Sequence, residues 1–407
     1  MKWDIIIGLL LTLAFFSAAT AAFLLLDSRF DSADDILVMF AQQQAQPVYV
    51  AVEEDYITNP TEEPQEPQII NYIPLPPPDE SSLEEPHEQE PEPEEPDPGL
   101  ITITLSAAGD TTLGGDSRWA GYHAFMREFH NSGNDHSTFF KNIAHIFRDS
   151  CLSIVNLEGT LTYATYHMDK EFVFRGPPHF AQILSSSYVD AVTIANNHTI
   201  DFFDRGYRDT IAALEAHDII YFGNEFNTIM EVNGILVGLF GYRVWDESVN
   251  NRNRITASID YLRERGAQLI IAFHHWGEEH QNMPQPYQVN MGRFTIRQGA
   301  DLVLGAHPHV IQGIEQYMGR YIVYSLANFS FGGNSNPRDQ DSFIFQQTFT
   351  FRDGVLQPYN DTNIIPVFVS SVRYRNDFRP TVAYGEDGER ILERIALYSA
   401  GIDYIVG

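Results

Sequence analysis

Leu302-Val303-Leu304-Gly305-Ala306-His307-Pro308-His309 begins as a short apolar strand and ends in two imidazoles. Residues i and i+2 of an extended chain share a face, so both rings can reach one centre. The proline between them keeps the backbone out of helix. Four other apolar runs end in the same way. Residues 101–107 precede Gly109-Asp110, and residues 152–155 precede Asn156-Leu157-Glu158. Residues 191–195 precede Asn196-Asn197-His198, and residues 269–273 precede His274-His275-Trp276-Gly277. Helix-period segments at 139–148, 178–186, 208–217, 256–264 and 288–298 separate several of these runs. Alternating strand and helix predicts an α/β sheet protein. Asn233-Gly234 is a strong hairpin-turn signal, and further strands at 321–325 and 343–351 predict a mixed sheet.

In open α/β sheets, functional sites gather beyond the carboxyl ends of the strands. Each polar cluster is weak alone, because Gly-Asp or Asn-Asn-His can equally form a turn. Their repetition at five strand ends points to a metal site. Together these clusters supply carboxylates, asparagine amides and imidazoles, a set suited to manganese, iron or zinc. Adjacent side chains on a strand face opposite ways, so one of His274 and His275 enters the site and the other packs away. The single cysteine, Cys151, rules out an intramolecular disulfide and a thiolate metal site. It precedes an apolar run and is expected to be a small core residue.

The amino terminus reads differently. Residues 5–26 are 22 consecutive uncharged residues, enough to span a ~30 Å hydrocarbon core. The small residues at 17–22 also offer signal-peptide cleavage points, but the apolar run continues past them. An uncleaved single-pass anchor over 1–28 is expected, with a cleaved signal as the alternative. Lys2 precedes the span and acids follow it, which favours an extracytoplasmic globular domain at the cell membrane. Residues 29–99 read as a linker. Twelve prolines fall between Pro60 and Pro98, and 16 acidic residues with no Lys or Arg fall between Glu53 and Asp97. Such a segment buries too little apolar surface to order itself and is expected to be disordered and extended. It carries about half of the net charge of −30. No clustered basic surface speaks for nucleic acid. Residues 100–407 form the globular domain.

The motifs occur in a recognisable order. Gly109-Asp110, Asn156-Leu157-Glu158, Ala195-Asn196-Asn197-His198 with Asp201, His275-Trp276-Gly277-Glu278 and Gly305-Ala306-His307-Pro308-His309 are followed by Tyr324-Ser325-Leu326-Ala327-Asn328-Phe329. Over roughly residues 101–335 the chain resembles the CapA, or poly-γ-glutamate synthesis, family, which is similar to calcineurin-like metallophosphoesterases. The resemblance implies a two-sheet sandwich flanked by helices. It implies one or two divalent metals held by Asp110, Glu158, Asn197, His275, His307 and His309, with Glu158 as the bridging carboxylate. His198 would act as the acid and Asp201 would orient it. Three positions depart from the pattern. Thr112 stands where the superfamily has the histidine of Asp-x-His. Ala306 stands where the family often has histidine, and Ala327 where it often has glycine.

Two functions follow from the resemblance. One is a metal-dependent hydrolase of a phosphoester or an amide-linked polymer. The other is a non-catalytic assembly or export factor that binds an anionic polymer, poly-γ-glutamate or polysaccharide, together with other membrane synthesis proteins. Arg175, in the family-like segment Phe174-Arg175-Gly176-Pro177, and Asn196 are the expected substrate contacts. Arg205, Arg208 and Arg243 are further basic candidates.

Overall fold

The computed structural model describes residues 99–405. The expected anchor at 5–26, and all of the expected linker but its last residue, lie outside them. Among the described residues no helix is long and apolar enough to cross a membrane.

The chain runs β1 (Leu100–Thr112), α1 (Ala120–Asn131), α2 (Ala144–Arg148), β2 (Leu152–Leu157), β3 (Thr160–Leu161), β4 (Arg175–Gly176), α3 (Ala181–Ser185) and β5 (Ala191–Thr193). It continues through α4 (Phe203–Glu215), β6 (Ile220–Phe222), β7 (Thr228–Val232), β8 (Ile235–Phe240), β9 (Arg243–Val244), α5 (Val249–Glu264), β10 (Leu269–Trp276) and α6 (Pro286–Gln298). It ends with β11 (Leu302–Ala306), β12 (Ile314–Tyr317), β13 (Arg320–Val323), β14 (Asn328–Phe331), β15 (Asp341–Arg352), β16 (Val355–Phe368), β17 (Thr381–Val382) and α7 (Gly385–Ala400).

Two large sheets result. The first has the order β17-β16-β15-β1-β2-β5-β6, with β14 also pairing β1. The second has the order β12-β13-β11-β10-β8-β7, with β9 also pairing β10. Both are mixed: β1, β2, β5 and β6 run parallel, as do β8, β10, β11 and β13, and antiparallel strands complete each sheet. The hairpin of β7 and β8 turns at Asn233 and Gly234, with φ of 50° and 82°. These are the positive values a two-residue hairpin turn requires.

The strands are apolar on both faces because each sheet is covered twice. Leu105 and Ile154 of the first sheet meet Leu239, Ile271 and Leu304 of the second in an inter-sheet core. Val155 and Val192 on the other face of the first sheet pack with Phe125, Phe147, Leu184 and Leu214 from α1 to α4. Ala272, Trp276 and Val303 on the outer face of the second sheet pack with Ile255, Leu262, Val289 and Met291 from α5 and α6. Each such side chain contributes roughly 1.5–3 kcal/mol when fully buried. The result is the expected two-sheet arrangement flanked by helices.

Several local expectations change. The helix at 139–148 contracts to α2, and Cys151 is exposed rather than a core residue. It lies just before β2, where Asn233 Nδ2 approaches its sulfur at 3.4 Å. The helices α1 and α7 and the long strand β16 carry no expectation from the sequence reading. Gly109 is needed for close backbone approach. A Cβ there would lie 1.9 Å from Ala327 O and 2.8 Å from Leu326 O. Glycine allows the 326–327 backbone to close onto β1, where Asp110 N–H donates to Ala327 O at 2.9 Å. Neither obstacle is a movable side chain, so Gly109→Ala is expected to destabilise the domain by about 3 kcal/mol. Thermal unfolding of the two proteins would measure this, and an unchanged midpoint would refute it.

Candidate metal centre

The parallel strands of both sheets deliver their polar ends to one place. Asp110 lies near the end of β1, where the register with β2 slips between Ala108 and Asp110. Such a bulge re-aims a side chain. Glu158 follows β2 directly. Its N–H donates to Thr111 O at 2.9 Å, and Thr112 Oγ1 donates to its carbonyl at 2.7 Å. Asn197 and His198 follow β5, His275 sits near the end of β10, and His307 follows β11.

Glu158 is the hub. It is fully buried, and neither carboxylate oxygen has a hydrogen-bond partner among the described residues. Its Oε1 lies 3.7 Å from His275 Nε2 and 3.9 Å from His198 Nε2, and its Oε2 lies 3.9 Å from His309 Nδ1. Asp110 Oδ2 lies 3.0 Å from His309 Nδ1 and 3.3 Å from the His307 N–H, while Oδ1 accepts from Asn156 Nδ2 at 2.7 Å. Asn197 Oδ1 is 2.8 Å from His275 Nε2. His307 Nδ1 is likewise buried without a hydrogen-bond partner among the described residues. Three triads each gather their ligand atoms within 4.8 Å: Asp110, Glu158 and His309; Glu158, His275 and His307; and Glu279, His307 and His309. Glu158 belongs to the first two. Buried oxygen and nitrogen donors left without partners, converging from both sheets, fit a divalent cation.

Burial, then the neighbouring imidazoles, hold His275 well below the usual histidine range. Burial pushes His307 down to about 3. Both rings are therefore neutral, as a metal ligand must be. Burial, then the Asp110 carboxylate, pushes Glu158 well up. Burial opposes a charge on His309, but the Glu158 and Asp110 carboxylates outweigh it and raise the ring to about 10. A proton on His309 balances this pair of buried carboxylates.

His198 and Asp201 come together at the edge of the cluster. His198 Nδ1 lies 2.6 Å from Asp201 Oδ2, which also accepts from Phe174 N–H at 2.6 Å. Lys170 Nζ donates to Asp201 Oδ1 at 2.8 Å and to Asn197 O at 3.0 Å. Phe174 stacks on the His198 ring at 4.1 Å between centroids. This leaves Nε2 of His198 facing Glu158.

Of the two adjacent histidines, His275 enters the cluster. His274 faces the helix layer, where its Nε2 meets Thr295 Oγ1 at 3.2 Å and burial lowers its pKa to about 3. His307 and His309 converge, but not by sharing the face of an extended chain: their φ angles are 100° and 59°. Non-glycine residues in this region cost about 1–3 kcal/mol each and cluster at functional sites. Ala327 has φ of 60°, which accounts for the glycine often found at that position in the family.

The two expected substrate contacts are engaged inside the protein. Asn196 is fully buried, with its amide nitrogen donating to Asn156 Oδ1 at 3.2 Å and Leu157 O at 2.7 Å, and its oxygen accepting from His198 N–H at 3.1 Å. Arg175 donates to the carbonyls of Ala164 and Tyr163 and lies over the Phe202 ring at 5.3 Å. Four neighbours of the site carry no role in the sequence reading: Lys170, Trp245, Glu279 and Asn328. Glu279 directly follows a quoted motif and Asn328 lies within one, and Asn328 Oδ1 is 3.0 Å from His309 Nδ1. Lys170 and Trp245 lie outside every motif. Trp245 packs edge-on to His307 at 4.8 Å.

Because His309 titrates near 10 when no cation is bound, a metal entering at pH 7.5 must displace its proton. Manganese titrated into the protein is expected to release about one proton per chain, or more if Glu158 also holds one. Affinity should then rise about tenfold per pH unit below that range. Calorimetry in buffers of different ionisation enthalpy measures this, and a heat independent of the buffer would contradict it.

Residues 104–333 match the family model described as bacterial capsule synthesis protein PGA_cap. The chain is 27% identical over 230 residues to the PGA biosynthesis protein CapA of Bacillus subtilis, covering 51% of this chain and 60% of that protein. It is 31% identical over 179 residues to the capsule biosynthesis protein CapA of Bacillus anthracis, covering 38% and 43% respectively. A probable polyglutamine synthesis accessory protein of Mycobacterium tuberculosis is 25% identical over 260 residues, covering 55% and 67%. The matches thus span less than two thirds of either Bacillus protein. The matched segment runs from β1 past β14 and includes every residue of the metal-ligand cluster, so the chain belongs to the bacterial capsule synthesis (PGA_cap) family, a metallophosphoesterase-like family.

Proposed function

We propose that this protein acts in the synthesis, assembly or export of an anionic cell-surface polymer, poly-γ-glutamate or a capsule polysaccharide, and that its cluster is a metal-dependent hydrolase site. The observation that carries the reading is Glu158. Its two unpartnered oxygens lie between a triad with His275 and His307 and a triad with Asp110 and His309. Asp110, Glu158 and His309 would hold one cation. Glu158, Asn197, His275 and His307 would hold a second, with manganese, iron and zinc as the fitting ions. Bound metal would supply an activated water and a clamp on the bond being cleaved.

The chain's own residues do the rest. Asp201 accepts the Nδ1 proton of His198 and so fixes the ring with Nε2 towards the cluster. Burial holds His198 below the usual range, so the resting ring is neutral with Nε2 bare; it would take up a proton at Nε2, stabilised by Asp201, before passing it to a leaving oxygen. Lys170 braces Asp201 from the other side. The polymer role is supported by the names of the relatives, and the membrane location by the apolar run at 5–26.

One observation favours a non-catalytic assembly factor as the second reading. Thr112, which replaces the superfamily histidine, turns its hydroxyl to the Glu158 carbonyl, so the triad around Asp110 has one ligand fewer. The test is metal content together with hydrolysis of phosphodiester and γ-glutamyl substrates by the purified full chain. Glu158→Gln and His307→Ala are expected to lose metal. His198→Ala is expected to keep metal but lose about 100- to 10,000-fold in turnover. Metal-loaded protein that hydrolyses none of these substrates, with polymer production in cells unaffected by His198→Ala, would replace the hydrolase with the assembly factor. Protein that takes up no metal would defeat the site itself.

A further inference from the structure

The basic residues considered as anion contacts, and the cations nearest the centre, are nearly all engaged. Lys170 pairs with Asp201, Arg118 with Asp116, Arg205 with Asp209 and Arg208 with Asp204. Arg175 is bonded to backbone carbonyls. Arg243 differs. It is half-buried, and no hydrogen bond or ion pair to its guanidinium is found among the described residues. Burial alone lowers its pKa, with no carboxylate to offset it.

Its direction follows from register. β9 runs parallel to β10, pairing Arg243 with His275 and Val244 with Trp276. Paired residues project from the same face of a sheet. Val244 and Trp276 both pack in the helix-side core with Tyr242. Arg243 therefore projects from the opposite face, together with His275. Trp245, two residues on, bears this out: its ring packs edge-on to His275 at 6.0 Å and to His307 at 4.8 Å.

A guanidinium withdrawn from water without a partner is costly and is retained where something else supplies the anion. We propose that Arg243 is the substrate-binding cation of this centre and takes an oxyanion of the substrate, a phosphoryl or carboxylate group, beside His275. Its planar fork suits either group, bound through two parallel N–H···O contacts. This assignment rests on the metal-site reading of the cluster and replaces Arg175 as the expected anion contact. Trp245, 43% exposed, forms a wall on the same side.

The test uses the full chain loaded with manganese, titrated calorimetrically with inorganic phosphate and, separately, with glutarate. Arg243→Gln is expected to weaken one or both by about 10- to 100-fold at unchanged metal content. Arg243→Lys should recover part of the loss, and Arg208→Gln, an exposed paired arginine, should change nothing. Which probe loses affinity identifies the oxyanion as phosphoryl or carboxylate. Equal affinity in Arg243→Gln, no binding of either probe by the parent, or loss of metal from Arg243→Gln would each overturn the assignment. A parent that takes up no metal would instead defeat the proposed function. The same titrations on that metal-free protein would still decide Arg243, by whether the Gln variant loses affinity.

Discussion

A carboxylate at zero exposure, with no hydrogen-bond partner among the described residues, is the constraint around which the domain is arranged. Removing Glu158 from water costs several kcal/mol unless charge or hydrogen bonds replace the solvent. Its two oxygens receive no hydrogen bond from the described residues, yet three imidazoles stand within 4 Å of them. The proton drawn onto His309 partly compensates when no cation is bound. Such an arrangement is poor as a core and good as a cation site, because a divalent ion would satisfy both carboxylates and the neutral rings at once.

The fold bears the cost of this arrangement in specific places. A bulge at Gly109 turns Asp110 inward, and the missing side chain lets the 326–327 backbone close against it. His307, His309 and Ala327 all take positive φ. The double-sided burial of β1, β2, β10 and β11 holds these strained loops, since each strand is packed against the other sheet on one face and against helices on the other. The rigid part of the molecule thus sets where the loops begin, and the loops place the donors.

Much of this was legible in the sequence because strand ends are local features. Apolar runs followed by polar clusters marked β1, β2, β5, β10 and β11, and the alternation of a strand predicted that one of His274 and His275 would turn away. What was not legible depends on contacts distant in the chain. Arg175 and Arg243 look alike as residues. Only the pairing of β9 with β10 sets Arg243 beside His275, and only the 160–176 loop engages Arg175. Lys170 lies 31 positions before Asp201 and outside any motif, so nothing nearby announces their pairing. Cys151 was misplaced because an apolar run says which strand follows, not whether the residue before it is covered.

The claim that Glu158 is a metal ligand is tested most directly by anomalous diffraction from a crystal of the manganese-loaded protein. The account predicts a peak about 2 Å from a Glu158 carboxylate oxygen, with His275 and His307 or Asp110 and His309 completing the contacts. A fully loaded crystal with no anomalous peak at Glu158, or with its metal elsewhere, would contradict it.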